Sequence, residues 1–162
     1  MLGALASLGY TTVEESARSI IAERLAAGMT PRPQTNQFAR EILRRDIEKY
    51  EMTRGLPDPV FFDRSVVEAF ASVQETETWL RLELERMLAA YPFDRPVFIL
   101  PPWPAIYTVD TERDQTFEDA ANVHQKVVDW YSICGYPLHE VPCLPVDERA
   151  KYVHQVVNCS AP

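Results

Sequence analysis

An acid and an arginine stand side by side straight after a wholly apolar run: Val60-Phe61-Phe62 gives way to Asp63-Arg64-Ser65. A carboxylate in such a place suits a Mg2+-associated ligand or a general base for an acceptor hydroxyl. The guanidinium next to it can meet phosphate oxygens through two parallel hydrogen bonds. Two other junctions have the same form. Thr11-Thr12-Val13 runs into Glu14-Glu15-Ser16-Ala17-Arg18, and Val97-Phe98-Ile99-Leu100 runs into Pro101-Pro102-Trp103. Ligands of open parallel sheets bind beyond the carboxyl ends of the strands, so all three junctions supply candidate site residues. Taken alone, the Asp-Arg pair is a weak motif. The plainer reading makes Asp63 or Ser65 the cap of the following helix.

These residues need strands and helices to hold them, and the pattern predicts both. Leu2, Leu5 and Leu8 repeat at helical spacing before Gly9. A β-prone run ends at Val13, and a helix follows with Ala17, Ile20, Ile21 and Leu25 on one face, closing at Gly28. After a Pro-containing loop, Gln37 to Thr53 reads as a helix with Phe38, Ile42, Leu43, Ile47 and Tyr50 inward. Uninterrupted apolar runs at Val60–Phe62 and Val97–Leu100 read as strands buried on both faces. Glu75 to Ala90 and Thr116 to Ile133 read as helices, the latter with Phe117, Ala120, Ala121, His124, Val127, Val128 and Tyr131 on a shared face. Leu138 to Val141 is a last strand and Val146 to Val157 a last helix. Strands alternating with helices give an α/β fold with a mostly parallel sheet, in one domain over residues 1–162.

The bulk numbers fit one soluble domain: 46% hydrophobic, 25% charged, net charge −8. That charge argues against general nucleic-acid binding, which needs a basic field. Arg40, Arg44, Arg45 and Lys49 make a local basic run, read as a solvated helix face. Three cysteines without framework spacing suit a reducing cytoplasm, and no apolar run is long enough to span a bilayer. Cys134, His139, Cys143, His154 and Cys159 lack the compact spacing of a structural zinc site, so no metal cluster is expected.

The Asp63-Arg64 junction resembles the strand-plus-acid-arginine signature of kinase-like P-loop proteins. A more specific stretch runs from Val97 through Pro101-Pro102-Trp103-Pro104 to Tyr107, followed by Asp110, Glu112 and Arg113. With Gly135-Tyr136, Pro142 and Glu148-Arg149, it is similar to the predicted-ATPase family of small AAA-type P-loop domains, over nearly the whole chain from Leu2. The resemblance implies a three-layer P-loop NTPase-like domain that binds ATP and Mg2+ and acts on a small-molecule acceptor. Asp63 would hold Mg2+ through water or act as a base, and Arg64 would contact a transferring phosphate. Glu15 and Arg18 would face the acceptor, Trp103 would line the pocket mouth, and Arg113 would close over phosphates as a lid.

The family pattern opens with a strand and a Gly-rich loop ending in Gly-Lys-Ser/Thr, and no Gly-x-x-x-x-Gly-Lys-Ser/Thr occurs in the 162 residues. That loop supplies the amide cradle, the ammonium and the Mg2+-binding hydroxyl. The expectation is therefore a domain incomplete at its N-terminus and inactive as it stands, with an upstream start favoured over a decayed copy or a re-paired sheet. A sheet edge left open would favour self-association. The competing expectation is a non-catalytic remnant that binds nucleotide weakly or serves as an interaction module. A GTP-binding switch ranks last, since Asn-Lys-x-Asp is absent.

Overall fold

The computed structural model describes residues 1–57, 59–74, 81–94, 96–107 and 116–160. In chain order its elements are α1 (Leu2–Ser7), β1 (Thr11–Val13), α2 (Ser16–Ala26), α3 (Thr35–Thr53), β2 (Val60–Phe62), α4 (Val66–Gln74), α5 (Arg81–Ala90), β3 (Val97–Ile99), a 3-10 turn (Pro104–Ile106), α6 (Phe117–Ile133), β4 (Leu138–Glu140) and α7 (Val146–Ser160). Among the described residues the strands form two two-stranded sheets, β1 with β2 and β3 with β4. The chain forms two compact units: Met1–Thr12 with Asp94–Pro162, and Val13–Phe93.

The unit from Val13 to Phe93 is organised around α4. Ser65 starts this helix: its Oγ accepts the Val67 N–H at 3.1 Å, which satisfies one of the amides that a helix start leaves free. Val66, Val67, Ala69, Phe70 and Val73 are all buried, and Phe70 has no exposed surface. The helix packs chiefly against α3, and Ile20 and Ile21 of α2 and Ala39 of α3 are buried as well. At the far end of α3, Tyr50 meets Phe93 and Tyr91 edge-on at 5.2 and 5.5 Å, and Phe62 meets Phe93 at 5.2 Å. Edge-on aromatic pairs contribute roughly 0.5–1.5 kcal/mol each beyond their buried area. The Tyr50 hydroxyl also donates to the Pro92 carbonyl at 2.6 Å.

The other unit holds a βαβ arrangement. β3 and β4 run parallel, with Val97, Phe98 and Ile99 opposite Leu138, His139 and Glu140. The ladder continues at both ends, Val97 N–H donating to Pro137 and Val141 N–H to Ile99. α6 joins the two strands. It opens on a capping box in which Thr116 Oγ1 accepts the Asp119 N–H and Asp119 accepts the Thr116 N–H. It ends at Gly135, whose φ of 77° suits a residue without a Cβ. α1 packs on α7, with Leu5, Ala150 and Val153 buried and the Tyr10 hydroxyl 2.6 Å from His154 Nδ1.

Several sequence expectations need correction. α3 begins at Thr35, two residues early. Leu25 is 48% exposed, one turn beyond the last buried residue of α2, Ile21. Leu100 is 44% exposed because β3 stops at Ile99, before the two prolines. The helix read from Glu75 is observed over Arg81–Ala90, its expected first residues, including Trp79, lying outside the described ones. α4, the most buried helix of its unit, is the helix that the plainer reading of Asp63-Arg64-Ser65 implies: Ser65 caps it, although no periodicity gave its bounds.

Candidate functional site

Two turns carry the site, one after β1 and one after β2. β-branched Thr11, Thr12 and Val13 favour an extended chain, and α2 begins at Ser16. Glu15 occupies the N-cap position, but its side chain makes no capping bond. After β2, the Asp63 N–H donates to the Val13 carbonyl at 2.8 Å, tying the two turns together. Arg64 then adopts φ 73°, the left-handed region. A side chain there costs about 1–2 kcal/mol relative to the right-handed region, and such strain gathers at functional sites.

That conformation sets the Arg64 guanidinium between two acids. Nη1 lies 2.7 Å from Glu68 Oε2, one turn into α4, and Nε lies 3.9 Å from Glu15 Oε1. The charge of Glu68, then those of Glu15 and Asp63, raise the Arg64 pKa against the opposing effect of burial. The side chain remains 44% exposed, so the cation is held in place and still reachable from solvent.

Beneath this pair lies a buried carboxylate that the sequence analysis did not select. Asp46 of α3 accepts a hydrogen bond from Ser16 Oγ at 2.5 Å, and both residues are buried. Burial raises the Asp46 pKa above its ordinary value. The Ser16 hydroxyl and Lys49 oppose the shift, and Glu68 and Glu15 add to it. A sequence signal exists for Asp46: with Ala39, Ile42, Leu43 and Tyr50 it shares the i, i+3, i+4 stripe that faces inward.

The remaining expected residues are dispersed. The Asp63 and Arg18 side chains are exposed, on the β2–α4 turn and on α2. Trp103 belongs to the other unit, where the Arg149 guanidinium lies 5.7 Å from its ring centroid, a cation–π distance. Arg149 Nε is buried with no hydrogen-bond partner among the described residues. Arg113 lies outside the described residues. The basic run on α3 is largely neutralised, Arg44 by Glu48 and Arg45 by Glu23 and Glu41.

The AAA domain family matches residues 1–149. The chain belongs to that family. Membership supports a P-loop NTPase-like fold and nucleotide-binding character for this AAA domain. No curated protein and no solved structure matches the chain. AAA domains generally bind nucleotide with Mg2+. Among the described residues no group of three or more His, Cys, Asp or Glu side chains is placed to hold a metal ion, whereas Mg2+ at a nucleotide site usually takes one or two carboxylates with phosphate oxygens and water. Glu15 and Glu68 are engaged by Arg64, and Asp63 stands exposed. Among the described residues no helix is long and apolar enough to cross a membrane.

Proposed function

We propose that this AAA domain serves nucleotide-dependent phosphoryl transfer of the small-molecule-kinase type, with the β1 and β2 turns handling the acceptor and the transferring phosphate. The observation that carries the reading is Arg64, a strained, partly exposed arginine held by Glu68 and Glu15 directly after a strand. Its fork geometry suits a phosphoryl group, and a carboxylate clamp fixes it before a ligand arrives, so little side-chain freedom is lost on binding. Glu15, 3.9 Å from Arg64 Nε, is a candidate to receive a hydrogen bond from an acceptor hydroxyl. Asp63 is a candidate base, and Arg18 a candidate acceptor contact. Trp103, in the other unit and with Arg149 over its ring, is proposed as a ligand contact on sequence grounds alone. Arg113 is proposed as a closing residue on sequence grounds alone.

Phosphoryl transfer depends on positioning and charge, and the Gly-x-x-x-x-Gly-Lys-Ser/Thr that supplies most of both does not occur in these residues. The 162-residue chain should therefore bind ATP with millimolar or weaker affinity. Calorimetric titration giving sub-millimolar affinity would overturn that part of the reading. Fused behind a strand and loop carrying that motif, the chain should turn over ATP, and Arg64→Ala should lower the rate at least tenfold. An unchanged rate discards the role of Arg64. A second reading is a non-catalytic interaction module that self-associates through a sheet edge, and the two short, two-stranded sheets among the described residues are the observation behind it. Concentration-dependent dimerisation without nucleotide turnover in that fusion would support it.

A further inference from the structure

α3 grips the β1–α2 turn with two side chains one helical turn apart. Asp46 Oδ1 accepts from Ser16 Oγ at 2.5 Å, and Lys49 Nζ donates to the Glu14 carbonyl at 2.6 Å. The residues gripped, Glu14 and Ser16, are the two neighbours of Glu15. One bond is made to a main-chain carbonyl and the other to the first residue of α2, so together they restrain the backbone on both sides of Glu15. The Glu15 carboxylate makes no capping bond and lies 3.9 Å from Arg64 Nε. On the far side, Asp63 N–H to Val13 C=O fixes the end of β1 to the turn that bears Arg64.

A buried acid is an expensive way to fill an inward position of a helix. Leu or Ile at position 46 would extend the apolar stripe of α3 without the desolvation of a carboxylate. Neither Asp46 nor Lys49 touches Arg64 in any bond described above. What the pair does hold is the turn whose middle residue faces Arg64.

We propose that Asp46 and Lys49 are positioning residues: by clamping Glu14 and Ser16 they set the approach of the Glu15 carboxylate to the Arg64 guanidinium. The functional value of that approach rests on the acceptor-side role proposed above, but the clamp itself is a property of the resting protein and is tested without nucleotide.

The test uses the Arg64 Nε–Hε resonance in 15N-resolved NMR spectra of the full chain. Glu15→Gln should displace that resonance in the wild-type background. In Lys49→Met the displacement caused by Glu15→Gln should fall at least twofold, and in Asp46→Leu/Lys49→Met it should vanish. Asp46→Asn retains an oxygen for Ser16 Oγ and should keep the wild-type displacement, an outcome that general loosening of α3 would not give. Equal displacement in every background overturns the clamp, and so does the absence of any displacement in the wild type. Should Asp46→Leu/Lys49→Met fail to fold, Lys49→Met against Asp46→Asn decides the question. Because no nucleotide enters, a negative result sinks the clamp and leaves the phosphoryl-transfer reading to its own assays.

Discussion

Ser16→Ala removes one oxygen, and its consequence depends on the charge that oxygen serves. In the wild type the Ser16 hydroxyl donates to Asp46 in a buried setting. A hydrogen bond to a charged group contributes about 1.5–3 kcal/mol, and one between neutral groups about 0.5–1.5 kcal/mol. Burial raises the Asp46 pKa, and the loss of Ser16, which holds it down, raises it further. Lys49, Glu68 and Glu15 are the other charges acting on it. At a pH above the raised pKa the variant should therefore lose about 2 kcal/mol, since an ionised carboxylate is left without its buried donor. At a pH below 3.8, the ordinary value from which burial raises the Asp46 pKa, the carboxyl is protonated and the loss should shrink to about 1 kcal/mol. Urea unfolding of both proteins at the two pH values reads the difference, and comparison at each pH cancels the titration of groups the two share. A loss of equal size at both pH values refutes the reasoning, because it would mean that the hydroxyl does not answer to the charge on Asp46.

Asp46→Asn should be stabilised relative to wild type as pH rises: a carboxyl with a raised folded pKa favours folding below its unfolded value and costs stability as pH climbs through the raised one, a cost the amide does not carry. Urea midpoints converging below about pH 4 and separating above it are the expected pattern. Phe70→Ala, which empties a fully buried site, should cost about 3–5 kcal/mol by the same denaturation, a large part of the roughly 5–15 kcal/mol of a typical domain. Arg64→Gly and Arg64→Ala both delete the guanidinium, but only Ala keeps a Cβ at φ 73°; the glycine variant should be the more stable by about 1 kcal/mol. Thr116→Ala breaks the capping box, so amide exchange in the first turn of α6 should quicken. The Asp119 carboxyl, held low first by the Thr116 side chain, should move back up toward its ordinary value in a 13C titration.

What the sequence made legible follows from how strongly each segment commits to one period. Val60–Phe62 and Val97–Ile99 are unbroken apolar runs bounded by turn residues, and both are strands. α6 repeats its apolar residues at helical spacing behind Thr116-x-x-Asp119, and its expected face is the less exposed one. Ser65 signals the start of α4, but the length of the helix is not legible, because Val66-Val67 and Val73 favour strands by type and the segment is apolar on nearly every side; packing against α3 decides its form. The Asp63-Arg64 and Glu14-Glu15 junctions drew attention through their place after strands, and the structure brings Arg64 and Glu15 together. Asp46 escaped because a charged residue is read as outward unless its register is checked. The left-handed Arg64 backbone escaped because arginine gives no sign of it. The pairing of Trp103 with Arg149 joins residues far apart in the chain, which no local pattern reports.

One compact unit is built from both ends of the chain, with Val13–Phe93 lying between them in sequence. Tyr10 and His154, whose side chains meet there, are separated by 144 positions. At a synthesis rate of roughly 5–20 residues per second, α7 leaves the ribosome about 7–30 s after the helix it must cover. Leu5, buried in the finished fold, therefore spends that interval without α7, while the central segment is already long enough to fold. The order of synthesis leaves the apolar face of α1 open until α7 emerges, and a nascent-chain chaperone would find it there.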